Sequence, residues 1–189
     1  MRIVGGEFRG RVLMAPPGRA TRPTADRVRE ALFDILASAA LARGATGLEG
    51  VAALDVFAGS GALGFEALSR GAARAAFVEN DPAALAVLAA NIRKLGVEDR
   101  AAILRQDATR LGKTAAHFGL VMLDPPYRSG LAPAALAALA RHGWIGPGAT
   151  IVVEVAAGEP FAPPEGLFAI ADERRYGAAR LVFLAAAIS

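Results

Sequence analysis

The feature that most constrains the fold is an apolar run that leads into a glycine turn and then into a helical pattern. Residues 51–57 are apolar except for Asp55, the turn is Gly59-Ser60-Gly61, and the helical pattern runs to Gly71. Such runs are typical of strands buried on both faces of a parallel sheet. Because the order of strand, turn and helix returns along the chain, we predict an α/β fold with right-handed crossovers and a doubly wound sheet.

Six further strands are predicted after this first one. The last two are expected to form an antiparallel hairpin joined through residues 174–177, so the sheet is mostly parallel and has seven strands. Asp81 is expected to cap a helix that begins at Pro82 and ends before Gly96. The other predicted strands are residues 75–79, 101–105, 120–123, 150–154, 167–171 and 179–185, and a later helix is predicted over residues 133–141.

The N-terminal part is predicted to form a small β and helical extension. Short strands are expected at residues 2–4 and 11–14, and a helix from about Ala25 to Leu41, with Thr24 as its candidate N-cap. We therefore divide the chain into an extension of residues 1–45 and a catalytic domain of residues 46–189.

The extension also carries the excess positive charge. Residues 1–30 hold seven arginines and three acidic residues, a net charge of +4, whereas the other 159 residues hold fourteen basic and fifteen acidic residues, a net charge of −1. A basic segment on a near-neutral body suggests a polyanionic partner, although a solvated basic face would give the same pattern.

Composition excludes several classes of protein. Of the 189 residues 54% are hydrophobic, but no uncharged stretch exceeds twelve residues, and a membrane span needs roughly 20. Glu7 and Arg9 stand where a signal peptide would be apolar, so we expect a soluble, cytoplasmic protein. Cysteine is absent, and His117 and His142 show no metal-ligand spacing, so neither thiolate catalysis nor a metal is expected.

The glycine turn predicts a nucleotide site. Gly59 to Gly64 match G-x-G-x-x-G between a strand and a helix, where glycines let the backbone approach a nucleotide. Glu79 ends the next strand and can accept hydrogen bonds from ribose hydroxyls. We assign Phe57, Gly59, Ser60, Gly61 and Glu79 to this site, which fits NAD as well as S-adenosylmethionine (SAM). Alternatively, the glycines could be needed only for a tight turn between strand and helix, with no ligand bound there.

Two carboxylates favour SAM over NAD. Asp55 can reach the ammonium group of an amino-acid moiety, whereas its charge would repel a dinucleotide pyrophosphate. Asp107, at the end of the third strand, can accept from an adenine 6-amino group. Each of the two could instead be a turn or capping carboxylate.

The segment Asp124-Pro125-Pro126-Tyr127 predicts the reaction. Its prolines fix an extended backbone, and Pro125 has a carbonyl but no N–H. The Asp124 carboxylate and the Pro125 carbonyl would accept both N–H groups of an exocyclic amine, while Tyr127 stacks on the base, which is worth roughly 1–3 kcal/mol. Asp124 would receive the proton as the amine attacks the SAM methyl group. A proline stop after a buried strand is the simpler alternative.

Several segments together resemble one known family. They are residues 2–11, residues 22–33 (RPTADRVREALF), residues 55–71 (DVFAGSGALGFEALSRG) and the segment 124–127. Over nearly its whole length the chain resembles the bacterial 16S rRNA guanine-N2 methyltransferase family of the small ribosomal subunit. The resemblance implies a Rossmann-like class I SAM-dependent methyltransferase fold, with SAM as methyl donor, S-adenosylhomocysteine as product and a guanine in a 16S rRNA loop as acceptor.

The resemblance also assigns roles to the extension. Residues 22–24 would help to close the SAM pocket, so Thr24 joins the cofactor site. The partner would be 16S rRNA or an assembling small subunit. Nothing in the sequence requires more than a monomer. Tyr127 stands where some family members carry Phe. The residues expected to contact RNA are Arg2, Arg9, Arg11, Arg19, Arg22 and Arg128.

Three other functions stay open. An adenine-N6 methyltransferase acting on DNA or RNA can use the same acceptor segment. An NAD-linked oxidoreductase would use the glycines and Glu79, but it leaves Asp124 to Tyr127 unexplained. The third is an RNA-binding assembly factor with a vestigial nucleotide site.

Overall fold

The structure, a computed structural model, describes residues 1–16, 23–42 and 47–187. Helices and strands alternate along most of these residues. The helices are α1 (Pro23–Ala42), α2 (Ala62–Ser69), α3 (Pro82–Leu95) and α4 (Leu131–Arg141). The strands are β1 (Ala52–Val56), β2 (Arg74–Glu79), β3 (Ala101–Arg105), β4 (Phe118–Leu123), β5 (Ile145–Ala156), β6 (Phe168–Tyr176) and β7 (Ala179–Ala186).

These strands form one sheet in the order β3-β2-β1-β4-β5-β7-β6. The first five pair with one another in parallel, and β7 lies antiparallel between β5 and β6. The predicted mostly parallel, seven-stranded sheet with an antiparallel final hairpin is therefore confirmed. Strand order reverses at β1 and β4, which is where doubly wound sheets bind ligands at their carboxyl edge.

Some element boundaries differ from the predicted ones. β5 begins at Ile145 rather than Thr150, because Ile145 already pairs with Phe118 and an irregularity in β5, which includes the glycines and proline of residues 146–148, precedes the pair of Leu120 and Thr150. β6 runs on to Tyr176, so the hairpin turn is residues 177–178. This strand lies at the sheet edge with most side chains exposed, and its sequence therefore lacks an apolar signal.

The arm, residues 1–16, forms a shorter antiparallel pairing than the two predicted strands. Within it, Arg2 and Val12 make an isolated antiparallel bridge. The N–H groups of Val4, Gly5 and Phe8 are instead bonded to side chains of α2, so they are lost to strand pairing. The predicted pairing of residues 2–4 with residues 11–14 is therefore present in a shorter form, in which the N–H groups of Ile3 and Leu13 donate to the carbonyls of Arg11 and Met1 at 3.0 and 3.1 Å.

The helix after the arm begins earlier than predicted. α1 starts at Pro23, whose fixed φ suits a first helical position, so Thr24 lies within the first turn rather than at the N-cap. α4 likewise starts at Leu131 rather than Pro133, since the first turn of a helix tolerates proline. The predicted α3, with Asp81 as its cap and Gly96 after its end, is confirmed.

A hydrophobic core lies on each face of the sheet. One core is built mainly by α1, α2 and α3 and includes Ile3 and Phe8 of the arm with Leu68 of α2. The other includes Leu136 and Leu139 of α4. The arm thus belongs to the same core as the helix that follows the glycine turn. None of the helices among the described residues is long and apolar enough to span a bilayer.

Candidate active site

The carboxyl edge of the sheet holds a cavity of ≈ 640 Å³, a size typical of small-molecule sites. It lies where the strand order reverses. Phe57 follows β1, Glu79 ends β2, Asp107 follows β3 and Pro126 follows β4, and all four line the cavity. Four consecutive connections of the fold therefore meet at one site.

The glycine turn between β1 and α2 is held in a conformation that few residues adopt. Phe57, Gly59 and Gly61 have φ angles of 64°, 56° and 82°, in the left-handed region. A Cβ atom on Gly61 would lie 2.5 Å from both Leu88 and Phe65. The turn therefore needs glycine for its backbone and for its packing. Ser60 is buried, and its hydroxyl lies 3.2 Å from the sulfur of Met1.

Asp55 lies beneath the glycine turn. Its side chain is buried, and Oδ2 accepts a 2.9 Å hydrogen bond from the N–H of Gly64. Burial, together with the nearby charges of Asp124 and Glu79, raises the pKa of Asp55 well above its usual range, despite that hydrogen bond. Asp55 thus fixes the start of α2 and adds to a group of acidic residues at this edge.

Glu79 holds the backbone of two loops. Its Oε2 accepts from the N–H of Gly59 at 2.8 Å, and its Oε1 accepts from the N–H groups of Asn80 and Asp81. A carboxylate offers about four lone-pair positions, so one on Oε2 remains for a ligand.

Asp107 caps a short 3₁₀ turn, residues 108–110. Its Oδ1 accepts from the N–H and the hydroxyl of Thr109. These hydrogen bonds lower the pKa of Asp107. The capping role considered from the sequence is therefore confirmed, and the contact with adenine stays a prediction for a carboxylate that also lines the cavity.

The segment 124–127 leaves β4 directly beside the glycine turn. The N–H of Asp124 donates to the carbonyl of Val56 at 3.2 Å, which joins the segment to the end of β1. Pro125 is buried and Pro126 is exposed at the cavity. The ring of Tyr127 is 38% exposed, and its hydroxyl donates a 2.7 Å hydrogen bond to Oε1 of Glu154.

The chain is similar to several known proteins. The family model described as Conserved hypothetical protein 95 matches residues 1–185. Ribosomal RNA small subunit methyltransferase D of Escherichia coli (strain K12) is 39% identical over 154 residues, which are 82% of this chain and 74% of that protein. The protein of the same name from Haemophilus influenzae is 37% identical over 169 residues, 87% of this chain and 83% of that one.

The chain belongs to the ribosomal RNA small subunit methyltransferase D family. The resemblance drawn from the sequence motifs is thereby confirmed. The solved structure of the Escherichia coli protein yhhF, at 36% identity, superimposes with a TM-score of 0.82 and covers 100% of this chain and 99% of that chain. The Rossmann-like class I methyltransferase fold is confirmed by the sheet order together with these relatives.

In this member of the methyltransferase D family, three buried side chains fasten the arm to the site. Glu66 of α2 accepts from the N–H groups of Val4 and Gly5 at 2.9 Å each. Ser69 accepts from the N–H of Phe8. Asn91 of α3 bonds both backbone groups of Met14 and also donates to the carbonyl of Ser60 in the glycine turn.

The arginines predicted to bind RNA are exposed where the structure describes them. Arg2, Arg9 and Arg11 are exposed on the arm, beside the exposed apolar side chains of Val12 and Met14, and the guanidinium of Arg11 lies 3.5 Å from the carbonyl of Lys94. Arg128 follows Tyr127, is exposed, and has a φ of 58°. Arg19 and Arg22 lie outside the described residues, and Thr24 lies in α1.

Sequence reasoning missed Glu154, Glu66 and Asn91. Glu154 is the last residue of the strand predicted over residues 150–154, as Glu79 is of the strand predicted over residues 75–79, so the same signal was available for both. Burial raises the pKa of Glu154, while its hydrogen bond from Tyr127 and the charge of Arg29 act against that rise. Glu66 and Asn91 lie within helices and give no comparable signal.

Proposed function

We propose that this chain transfers the methyl group of SAM to the exocyclic N2 of a guanine in a loop of 16S rRNA, with S-adenosylhomocysteine as the second product. The observation that carries the proposal is the position of the acceptor segment. Pro126 lines the same cavity as Phe57 and Glu79, and Asp124 is hydrogen-bonded to the end of β1. A base held by this segment would therefore lie next to a ligand bound at the glycine turn.

The cavity suits SAM in both size and charge. Asp55, Glu79 and Asp124 lie close enough together that the last two raise the pKa of the first. A ligand with a sulfonium and an ammonium group would relieve this repulsion, whereas a pyrophosphate would add to it. These three carboxylates together therefore favour SAM over NAD.

Each residue assigned to the cofactor has a definite part. Glu79 would accept from a ribose hydroxyl through the remaining lone pair of Oε2, and Asp107 would accept from the adenine amino group. Phe57, Gly59, Ser60 and Gly61 would form the wall along the nucleoside. Asp55, which is buried under Gly64, would act on the amino-acid moiety in its ionised form, which the positive charges of SAM would favour over the protonated form. Thr24 would help to cover the pocket from α1.

The acceptor segment would orient and deprotonate the amine. SAM, when bound, supplies an electrophilic methyl group on sulfur. The Asp124 carboxylate and the Pro125 carbonyl would each accept one N–H of the exocyclic amine, which turns the nitrogen lone pair out of the ring plane toward the methyl group. Asp124 would then take the proton lost from nitrogen and pass it to water. Pro126 and Tyr127 would pack against the flat face of the base.

The arm would bind the RNA away from the reacting base. Its first and last residues reach the glycine turn through Met1 and Met14, whereas its central loop lies against Ser69 at the far end of α2. The eight residues of α2 span about 12 Å at 1.5 Å each. Arg9 and Arg11 would therefore hold phosphates about one helix length from the target, with Arg2 and Arg128 closer to it. In this sense residues 1–45 act as the RNA-binding part and residues 46–189 as the catalytic part.

The test is methylation of small subunits from cells that lack this protein, with radiolabelled SAM and mapping of the modified nucleotide by mass spectrometry. We expect label on one guanine. The Asp124→Ala variant should bind SAM in calorimetry and lose turnover. Label on adenine would show that adenine, and not guanine, is the acceptor. Binding of NADH instead of SAM would support an oxidoreductase. Binding of RNA without turnover would indicate an assembly factor.

A further inference from the structure

The Tyr127 ring is tied to a strand other than the one that carries it. Tyr127 follows β4 in an irregular segment, and its hydroxyl donates at 2.7 Å to Glu154 near the end of β5. β4 and β5 are parallel neighbours in the sheet, so the contact joins the ends of two adjacent strands. The side chain of a loop residue is thereby held by a residue of the sheet.

Glu154 is itself held in place. It lies in β5 between strands β4 and β7, in register with Leu181 of β7. Burial raises its pKa, and the guanidinium of Arg29 in α1 acts on it with an opposing charge. Arg29 is also buried and bonded to the carbonyl of Arg2 and to Asp26. The acceptor that Tyr127 meets is therefore a carboxylate fixed by its strand.

The prolines before Tyr127 constrain the backbone but not the side chain. A tyrosine keeps two rotatable side-chain bonds, and Tyr127 is 38% exposed. Stacking on a base needs the ring plane in one orientation. The hydrogen bond to Glu154 holds the hydroxyl end of the ring at a defined position before any substrate arrives.

We propose that Glu154 is a positioning residue, which holds the Tyr127 ring in the orientation needed to stack on the target base. This role rests on the proposed function, because Tyr127 is the stacking residue only if the segment 124–127 binds a base. Glu154 acts through Tyr127 and does not touch the reacting atoms.

The experiment is a double-mutant cycle on the full chain, with small subunits and SAM as substrates. Tyr127→Phe keeps the ring and removes the hydroxyl. Glu154→Met keeps the side-chain length and removes the acceptor, and Glu154→Gln keeps an acceptor oxygen. Tyr176→Phe, which removes the hydroxyl of the other tyrosine in the chain, is the matched control.

We expect Tyr127→Phe and Glu154→Met each to lower kcat/KM for the RNA about tenfold, and the double variant to lower it by about the same tenfold. Glu154→Gln and Tyr176→Phe should stay close to wild type, and the affinity for SAM should not change in any variant. Independent effects that multiply to about a hundredfold would overturn the proposal. Equal losses for Glu154→Gln and Glu154→Met would also overturn it.

A second readout separates the positioning role from the methyl transfer itself. In the Tyr176→Phe background, 3-fluorotyrosine gives a single fluorine resonance, which belongs to position 127. We expect this resonance to shift with Glu154→Met and not with Glu154→Gln. An unchanged resonance in Glu154→Met would refute the positioning of Tyr127 by Glu154, even if activity fell. A wild type that carries the expected resonance but methylates no rRNA would refute the proposed function, and the stacking role with it.

Discussion

The backbone N–H of Gly64 donates a 2.9 Å hydrogen bond to the buried carboxylate of Asp55, which joins the first turn of α2 to β1. Burial raises the pKa of Asp55. The folded protein therefore keeps this proton at pH values where the unfolded chain, with a pKa of about 3.9, has lost it. Its contribution to stability is full below that pH and is lost as the pH rises toward the folded pKa.

We expect Asp55→Asn to make stability less dependent on pH above about 4, by up to about 1.4 kcal/mol per pH unit. Urea unfolding between pH 4 and pH 7 measures this slope. Asp107→Asn is the contrasting control, because the pKa of Asp107 is lowered and its contribution is lost as the pH falls through that lower value. Glu154 also has a raised pKa, so some slope should remain in Asp55→Asn. An unchanged slope would contradict the assignment.

Gly64 is expected to tolerate no side chain. A Cβ atom there would lie 2.3 Å from the ring of Phe77. We expect Gly64→Ala to destabilise the protein by about 1–3 kcal/mol, although alanine is the better helix former. Gly112→Ala, where a Cβ atom would meet nothing within 4 Å, is the control. Adding Phe77→Leu to Gly64→Ala should restore part of the loss in urea unfolding, and no restoration would mean that the clash is not its cause.

Glu66 is expected to be the strongest link between the arm and the body. Its buried carboxylate accepts from the N–H groups of Val4 and Gly5 and pairs with Arg70 at 2.8 Å. Glu66→Gln should destabilise the protein by about 3–5 kcal/mol, because the buried guanidinium of Arg29, at 3.6 Å, loses its countercharge and one backbone N–H loses its acceptor. Glu7→Gln breaks the exposed pair with Arg100 and should cost about 0.2–1 kcal/mol. Urea unfolding gives both values, and similar losses would show that burial is not decisive.

Glu79 is expected to control the affinity for SAM. An amide at this position would place an NH₂ group against the N–H of Gly59, or against those of Asn80 and Asp81. We therefore expect Glu79→Gln to weaken SAM binding about tenfold or more, since a backbone donor is left unsatisfied. Calorimetry with SAM measures the change, with the exposed Glu98→Gln as control. An affinity equal to that of the control would remove Glu79 from the cofactor site.

Arg9 and Arg11 are expected to set the salt dependence of RNA binding. Replacing both with Gln should weaken binding at low salt and reduce the slope of log K against log salt by roughly 0.7 for each lost phosphate contact to single-stranded RNA. Arg141→Gln with Arg175→Gln removes the same charge from exposed positions on α4 and β6 and serves as control. Equal slopes for the two double variants would mean that the arm contributes only net charge.

The sequence was sufficient where the signals were local. The bounds of β3 and the cap and end of α3 depend on neighbouring residues such as Asp81 and Gly96, and these predictions are confirmed. The attachment of the arm to the helices could not be predicted in this way, because N–H groups of the arm bond to Glu66, Ser69 and Asn91, which lie 61 to 77 positions away. The bond between Tyr127 and Glu154 likewise depends on β4 and β5 being neighbours, which strand prediction alone leaves open.

The strand order also bears on how the protein forms during synthesis. β7 is made after β6 yet lies between β5 and β6. A nascent chain that has reached only β6 therefore presents β5 as an unpaired edge, which can join the wrong strand. Because Glu154 belongs to β5, its surroundings are completed only once β7 has emerged. A chaperone that shields β5 at that stage would protect the strand that carries the partner of Tyr127.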